Sequence, residues 1–420
     1  MKKTLFACLF LSVQVISAQK PAQFSTATDV EQAGFSAKRL ARLDAHLQQL
    51  IDRGIAPNAV TFIARKGKIV HHKAFGYRNL EKKTPLRKDD IFRIASQTKA
   101  LTSVAVMMLY EEGKFLLEDP VSKYIPAFKN PRVLESLDTA AKTVKSRPAK
   151  SEITIRQLLT HTAGIPYEHR MDAVMGLKIP YIHSDGPDVL AGVVADIAKR
   201  PLLHDPGQAY TYGLNTDVLG YLVEVVSGLK LDVFFRQRIL DPLGMKDTYF
   251  YLPDNKANRL VELYAKPTVE SPLALSADAS MRNYPVSGAK SYLCGGAGLV
   301  STVGDYARFC QMMLNQGEFN GTRLLGRKTV AMMTRNQIDG LEVWERQDKF
   351  GLGFQIITDR SRYGDQATTG AFAWGGAYCS EYTIDPQEEL ICLVFTNVLP
   401  YAQGDEVTRK FRVLVYQALK

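Results

Sequence analysis

The chain has 420 residues, of which 46% are hydrophobic and 23% charged. That is enough apolar material for a large buried core, and it excludes a disordered or fibrous protein. Lys and Arg number 53 against 43 Asp and Glu, a net charge of +10, but the basic residues are interspersed and form no long block, so the balance indicates neither a nucleic-acid partner nor a membrane surface.

Met1-Lys2-Lys3, an apolar run over 4–16, and Ser17-Ala18-Gln19 have the layout of a signal peptide, residues 1–18, cleaved after Ala18. The run is short for a membrane span and no other stretch could cross a bilayer. The expectation is an exported protein, periplasmic or secreted, without stable membrane insertion. Ser36 can cap a helix carrying Leu40, Leu43, Leu47, Leu50 and Ile51 on one face, ended by Gly54. Residues 59–65 and 68–77 read as strands joined at Lys66-Gly67. An amphipathic helix then starts at Ser96, carries Leu101, Val104, Ala105, Met108 and Leu109, and stops near Gly113.

Asp119-Pro120 opens a middle region, 119–285, with helix patterns at 155–162, 188–199 and 216–226 and little β-branched alternation. A helix follows at 304–314. Strands follow at 351–357, 371–384 and 389–396, two of them a hairpin around Asp385-Pro386, and a helix closes the chain over 406–419. The predicted fold class is α+β: an antiparallel sheet built from both ends of the chain and covered by terminal helices. Residues 19–118 with 286–420 form a discontinuous α/β lobe, and 119–285 form an inserted, mainly helical lobe. Cys294, Cys310, Cys379 and Cys392 match no zinc spacing. Cys379 and Cys392, on strands flanking the hairpin turn, could form a cross-strand disulfide, but buried free thiols are the expectation.

Three separated pieces carry chemistry. The first is Ser96-Gln97-Thr98-Lys99 at a helix start. Positions i and i+3 share a helix face, so the amine of Lys99 reaches the hydroxyl of Ser96, and an amine held neutral there could help to take its proton. The same Ser-x-x-Lys spacing begins at Ser17, Ser227 and Ser287, but the first is in the targeting segment and the other two are each followed by glycine. The second piece is Tyr212, after the Pro206-Gly207 turn and just ahead of a helix. A phenol of pKa about 10 is a poor base at neutral pH, but ammonium groups beside it favour the phenolate. The third is Phe372-Ala373-Trp374-Gly375-Gly376-Ala377 on a strand. Adjacent glycines mark a close approach to that strand. The N–H groups of Ser96 and Ala377 could together form an oxyanion hole, each such donor contributing roughly 3 kcal/mol in the transition state.

With these residues in order, the chain resembles the serine β-lactamase-like hydrolases: class C β-lactamases, D-alanyl-D-alanine carboxypeptidases and the related carboxylesterases often called family VIII. The resemblance runs from about 35 to 420. It takes in Phe92–Lys99, Glu111-Glu112-Gly113-Lys114, Leu117–Val121, Leu158–Ile165 and Gly295–Thr302. It implies Ser96 as nucleophile, Lys99 and Tyr212 sharing proton transfer, and Trp374, Gly375, Gly376 and Ala377 in the strand motif that is often Lys-Thr-Gly. Two departures point to the esterase branch. Leu214 stands where penicillin-interacting members usually have the Asn of Tyr-x-Asn, with Asn215 one residue late. Trp374 replaces the strand cation that commonly holds a substrate carboxylate, and so favours a neutral or apolar acyl group.

Other arrangements are weaker. There is no Gly-x-Ser-x-Gly elbow, no phosphate-cradling glycine loop, and His71-His72 alternate across a strand. His161, at the end of a helix, reads as a loop anchor rather than a triad member. The resulting expectation is a serine hydrolase without cofactor or metal, acting on small-molecule esters through a Ser96 acyl-enzyme. The same residues would serve a β-lactamase or D-Ala-D-Ala peptidase, and a catalytically silent cell-wall peptide-binding protein is the third reading. Oligomeric state is not legible.

Overall fold

A computed structural model describes residues 23–363 and 366–420. The predicted signal segment and Cys8 lie outside the described residues. Ser36 caps the first helix, Ala37–Asp52, its hydroxyl accepting the N–H of Arg39. The stripe Leu40, Leu43, Leu47 and Leu50 is buried. It packs against the closing helix, Gly404–Tyr416, with buried Val407, Phe411 and Val415. Together these helices cover one face of the main sheet over Ile63, Cys392 and Val394.

The order across that sheet is Ser25–Thr26, Lys68–Asn79, Asn58–Arg65, Leu390–Phe395, Ser380–Asp385, Phe372–Gly376, Gln355–Ile356, Lys349–Phe350, with Thr84–Pro85 beside Lys68–Asn79. The register places Ile63 opposite Cys392, joining the two ends of the chain at the centre. Every pairing is antiparallel except that of the edge strand Ser25–Thr26, which runs parallel to its neighbour. The opposite face receives the helix Val303–Leu314, whose Tyr306 ring lies 5.2 Å from Tyr382 and 5.9 Å from Phe395.

The Ser96 segment differs from the sequence expectation in one respect. A short 3-10 turn, Ala95–Gln97, precedes the α-helix Thr98–Glu111, and every residue from Thr98 to Leu109 is buried. The helix is therefore a central one, apolar around most of its circumference, rather than an amphipathic surface helix. The helix Asn215–Ser227 packs directly against it. Among the described residues no helix is long and apolar enough to cross a membrane.

Four local expectations are corrected. The middle region contains a hairpin, Arg132–Asp138 with Thr143–Pro148, whose turn uses Lys142 at φ 52 instead of the Gly or Asn that would signal it. The helix predicted over 155–162 ends at Leu159, because His161 takes a left-handed φ of 57. The predicted strand 371–384 is two strands, Phe372–Gly376 and Ser380–Asp385, joined by the tight turn Ala377-Tyr378-Cys379 with Cys379 at φ 61. The predicted strand 351–357 is likewise a hairpin, Lys349–Phe350 with Gln355–Ile356. Cys379 is thus in a turn rather than on a strand, and Cys294, Cys310, Cys379 and Cys392 are free and buried. Burial raises the pKa of all four thiols, which makes them inert packing groups.

Candidate active site

Ser96 is presented by strain. Ala95, immediately before it, is buried at φ 41, a left-handed conformation that costs a non-glycine residue about 1–2 kcal/mol. The surroundings hold it there: Ile94 N–H donates to Leu299 O at 3.1 Å, Gln97 N–H to Ile94 O at 3.1 Å, and the Tyr306 hydroxyl to Gln97 O at 2.8 Å. The result turns the Ser96 side chain into a cleft of about 350 Å³ that is also lined by Tyr212, Trp374, Gly375, Gly376 and Ala377. A larger hollow of about 1020 Å³, floored by Phe24, Phe62 and Leu86, contains none of the predicted site residues.

Lys99 lies beneath the cleft, 3% exposed. Its three ammonium donors have three acceptors: Gly296 O at 2.8 Å, the Tyr167 hydroxyl at 3.1 Å and Ser96 Oγ at 3.4 Å. Burial works against its charge, but Tyr167, Tyr212 and Asp217 outweigh burial and raise its pKa above the ordinary lysine value. These surroundings favour the ammonium form over the neutral amine considered from spacing alone.

Asp217 explains much of this. It is wholly buried, and Oδ1 accepts from Tyr292 at 3.1 Å, Cys294 at 3.1 Å and the Gly296 N–H at 3.4 Å. Oδ2 has no hydrogen-bond partner. A Cβ on Gly296 would stand 2.6 Å from Asp217 Oδ2 and 3.3 Å from Lys99 Nζ, so Gly296 is the spacer between carboxylate and ammonium. Burial raises the Asp217 pKa, and Lys99 opposes that shift.

Tyr212 is placed by the loop that ends in His161. Gly207 N–H donates to Thr162 O at 2.8 Å and Thr211 N–H to His161 O at 2.7 Å. Gly213 passes so close to Ile165 O that a Cβ would lie at 2.1 Å. The His161 ring is 4.9 Å from the Tyr212 ring, and its Nδ1 meets Asn215 Nδ2 at 2.9 Å. Burial, then the charge of Lys99, holds its pKa well below the usual histidine value. His161 is a neutral, buried anchor, and Asn215 supports it from behind Tyr212 without lining the cleft. Lys99 Nζ stands 4.7 Å from the Tyr212 ring centroid, and Trp374 Nε1–H donates to the Tyr212 hydroxyl at 3.3 Å.

The Trp374 strand approaches Ser96 closely. A Cβ on Gly376 would meet Ile94 O at 2.4 Å. The absence of a side chain at Gly376 permits this contact, and it brings the turn starting at Ala377 beside the Ser96 turn.

The structure therefore gathers Ser96, Tyr212 and the Trp374–Ala377 segment around one cleft, with Lys99 below. Four further residues belong to the site. Asp217 looks in sequence like an ordinary acidic first-turn residue. Tyr167, in an irregular segment with no sequence signal, is Lys99's hydroxyl acceptor. Trp344 and Arg346 sit on a loop without periodicity. Tyr292 is buried behind Asp217.

The family model described as Beta-lactamase matches residues 43–417. Protein Rv1367c of Mycobacterium tuberculosis is 32% identical over 372 residues, covering 85% of this chain and 89% of the relative. Esterase EstB of Burkholderia gladioli is 29% identical over 409 residues, covering 93% and 99%. The solved structure of EstCE1, described as a hydrolase with promiscuous acyltransferase activity, superimposes with a TM-score of 0.73 at 27% identity, covering 90% of this chain and 99% of that one. The chain belongs to the Beta-lactamase family and is a serine hydrolase.

Proposed function

We propose that the protein hydrolyses carboxylic esters through an acyl-enzyme on Ser96, with Tyr212 as the base and Lys99 as the positive charge between the two. The observation that carries this reading is the cage around Lys99: an ammonium 3.4 Å from Ser96 Oγ and 4.7 Å from the Tyr212 ring. Lys99 and the Trp374 N–H both flank Tyr212, the ammonium 4.7 Å from its ring and the indole N–H 3.3 Å from its hydroxyl. Tyr212 takes the Ser96 proton as the oxygen attacks the ester carbonyl, and the N–H groups of Ser96 and Ala377 receive the oxyanion. Tyr212 then returns the proton to the leaving alcohol. Water repeats the sequence in reverse: Tyr212 takes its proton as the water oxygen attacks the acyl carbonyl, then returns that proton to Ser96 Oγ as the bond to Ser96 breaks and the acid is released. Tyr167, its own pKa raised chiefly by burial, stays a phenol and serves to hold Lys99. The ester preference rests on Trp374, which supplies an apolar wall where the strand motif otherwise carries a cation.

Ser96→Ala is expected to abolish hydrolysis of p-nitrophenyl butyrate while leaving the circular dichroism spectrum intact. An unchanged rate rejects the assignment. Nitrocefin turnover rivalling that of short esters would move the protein to the β-lactamase reading, and failure to label with a fluorophosphonate would leave only a binding role. Export belongs to the same proposal: residues 1–18 direct it, and intact mass of the protein from its native host should begin at Gln19.

A further inference from the structure

The wall of the cleft beyond Trp374 is built by a short loop. Val343 N–H donates to Asp348 O at 3.1 Å and Arg346 N–H to Val343 O at 3.2 Å, which closes the loop at its base. Trp344 and Gln347 take left-handed φ values of 49 and 63. The turn sets the Trp344 ring against Trp374, 5.6 Å away at 26°, and 5.7 Å from the Tyr212 ring. Trp344 is 45% exposed, so this loop caps the cleft without closing it.

Arg346 follows on the same loop and lines the same cleft. Its guanidinium carbon lies 4.7 Å from the Trp344 ring and 4.8 Å from the Tyr363 ring. These aromatic contacts fix its position. Other cations at this cleft have carboxylates: Arg412 is paired with Glu381, and Arg409 lies 3.6 Å from Asp405. Among the described residues the Arg346 guanidinium donates to no protein acceptor and faces no carboxylate at ion-pair distance. Its charge acts on the buried Asp348 carboxylate of the same loop without forming an ion pair with it, and a half-buried planar fork of N–H donors positioned by aromatic rings matches the geometry of a ligand carboxylate. The strand carries Trp374 rather than a cation, and the neighbouring loop brings Arg346 to the same cleft.

We propose that this cleft takes esters that carry a carboxylate remote from the scissile bond, held by Arg346. The inference rests on the ester reading above and names its substrate class. The test compares matched pairs: mono-4-nitrophenyl adipate against 4-nitrophenyl hexanoate, which share an acyl chain length, and 3-carboxyphenyl butyrate against phenyl butyrate. The ratio of kcat/KM, charged over neutral, is expected to fall about tenfold from wild type to Arg346→Gln in at least one pair, through KM, with Arg346→Lys restoring part of it. Using a ratio within one variant removes any loss of folded protein. A ratio that stays within about twofold of wild type in both pairs overturns the subsite and leaves the esterase standing. Absence of Ser96-dependent hydrolysis of the neutral esters by wild type overturns the esterase, and the subsite with it.

Discussion

At the scale of single residues, the proposed mechanism turns on the surroundings that favour a protonated Lys99. An isolated lysine at this depth would lose its proton, since burial disfavours charge. Here the Asp217 carboxylate lies across Gly296, and three acceptors receive the three ammonium hydrogens. Asp217→Asn removes the charge but keeps the shape. The Lys99 pKa should then fall. The limb of the pH–rate profile on which activity is lost as the ammonium deprotonates, which lies above about pH 10 in the wild type, should move down into the measurable range, with kcat/KM at pH 10 reduced by roughly tenfold, about 1.4 kcal/mol. The measurement is kcat/KM for p-nitrophenyl butyrate across pH 6 to 10. A variant profile that shows no more alkaline loss than wild type would show that Asp217 is a packing residue. Lys99→Ala and Tyr212→Phe should each slow the acylation burst steeply, and a wild-type burst in either variant would remove that residue from the mechanism.

At the scale of elements, the site depends on how closely the Trp374 strand approaches the Ser96 turn. Gly376 has no room for a methyl group, because Ile94 O would be 2.4 Å from it and the Ser380 hydroxyl 2.6 Å. Gly376→Ala must push the strand away from the turn or distort both. We expect a loss of about 1–3 kcal/mol in urea unfolding together with a large loss in kcat, since the Ala377 N–H moves with the strand. Gly375→Ala is the control: its Cβ would come no closer than 3.0 Å to any heavy atom, Ser380 O. Equal effects from both substitutions would show that the approach of this strand to Ser96 does not matter.

At the scale of the whole molecule, a buried histidine and a half-buried one contribute to the response to acid. His161 is held well below the usual value by burial, and His72 is pushed down to about 4 by burial, then by Lys88 and His71. Both are neutral in the folded state, whereas the unfolded chain takes up their protons near pH 6.5. Their contribution to stability is therefore present above about pH 6.5 and is lost as pH falls toward 4. Asp305, pushed up to about 6 chiefly by burial, works the other way and returns part of that loss below pH 6. For His72 the cost at pH 4 is roughly 2 kcal/mol after discounting for its partly exposed ring. Thermal melts at pH 7 and pH 5 should show a falling Tm, and His72→Gln should fall less. An equal drop in the variant would place the acid response elsewhere.

What the amino-acid order determined by itself is what depends on near neighbours. The Ser36 cap and its leucine stripe, the Lys66-Gly67 turn, and the meeting of Ser96 with Lys99 one helical turn apart all follow from local geometry, which a chain carries wherever it folds. The left-handed turns at Lys142, His161 and Cys379 did not show, because residues without the freedom of glycine are held there by contacts distant in sequence. The charge on Lys99 did not show either. It is decided by Tyr167, Asp217 and Gly296, which come from three other segments, and a pKa answers to burial and to nearby charges rather than to sequence spacing. The same holds for the cleft wall. Trp344 and Arg346 acquire meaning only when their loop folds onto Trp374, and that placement is settled by packing, which no local pattern records.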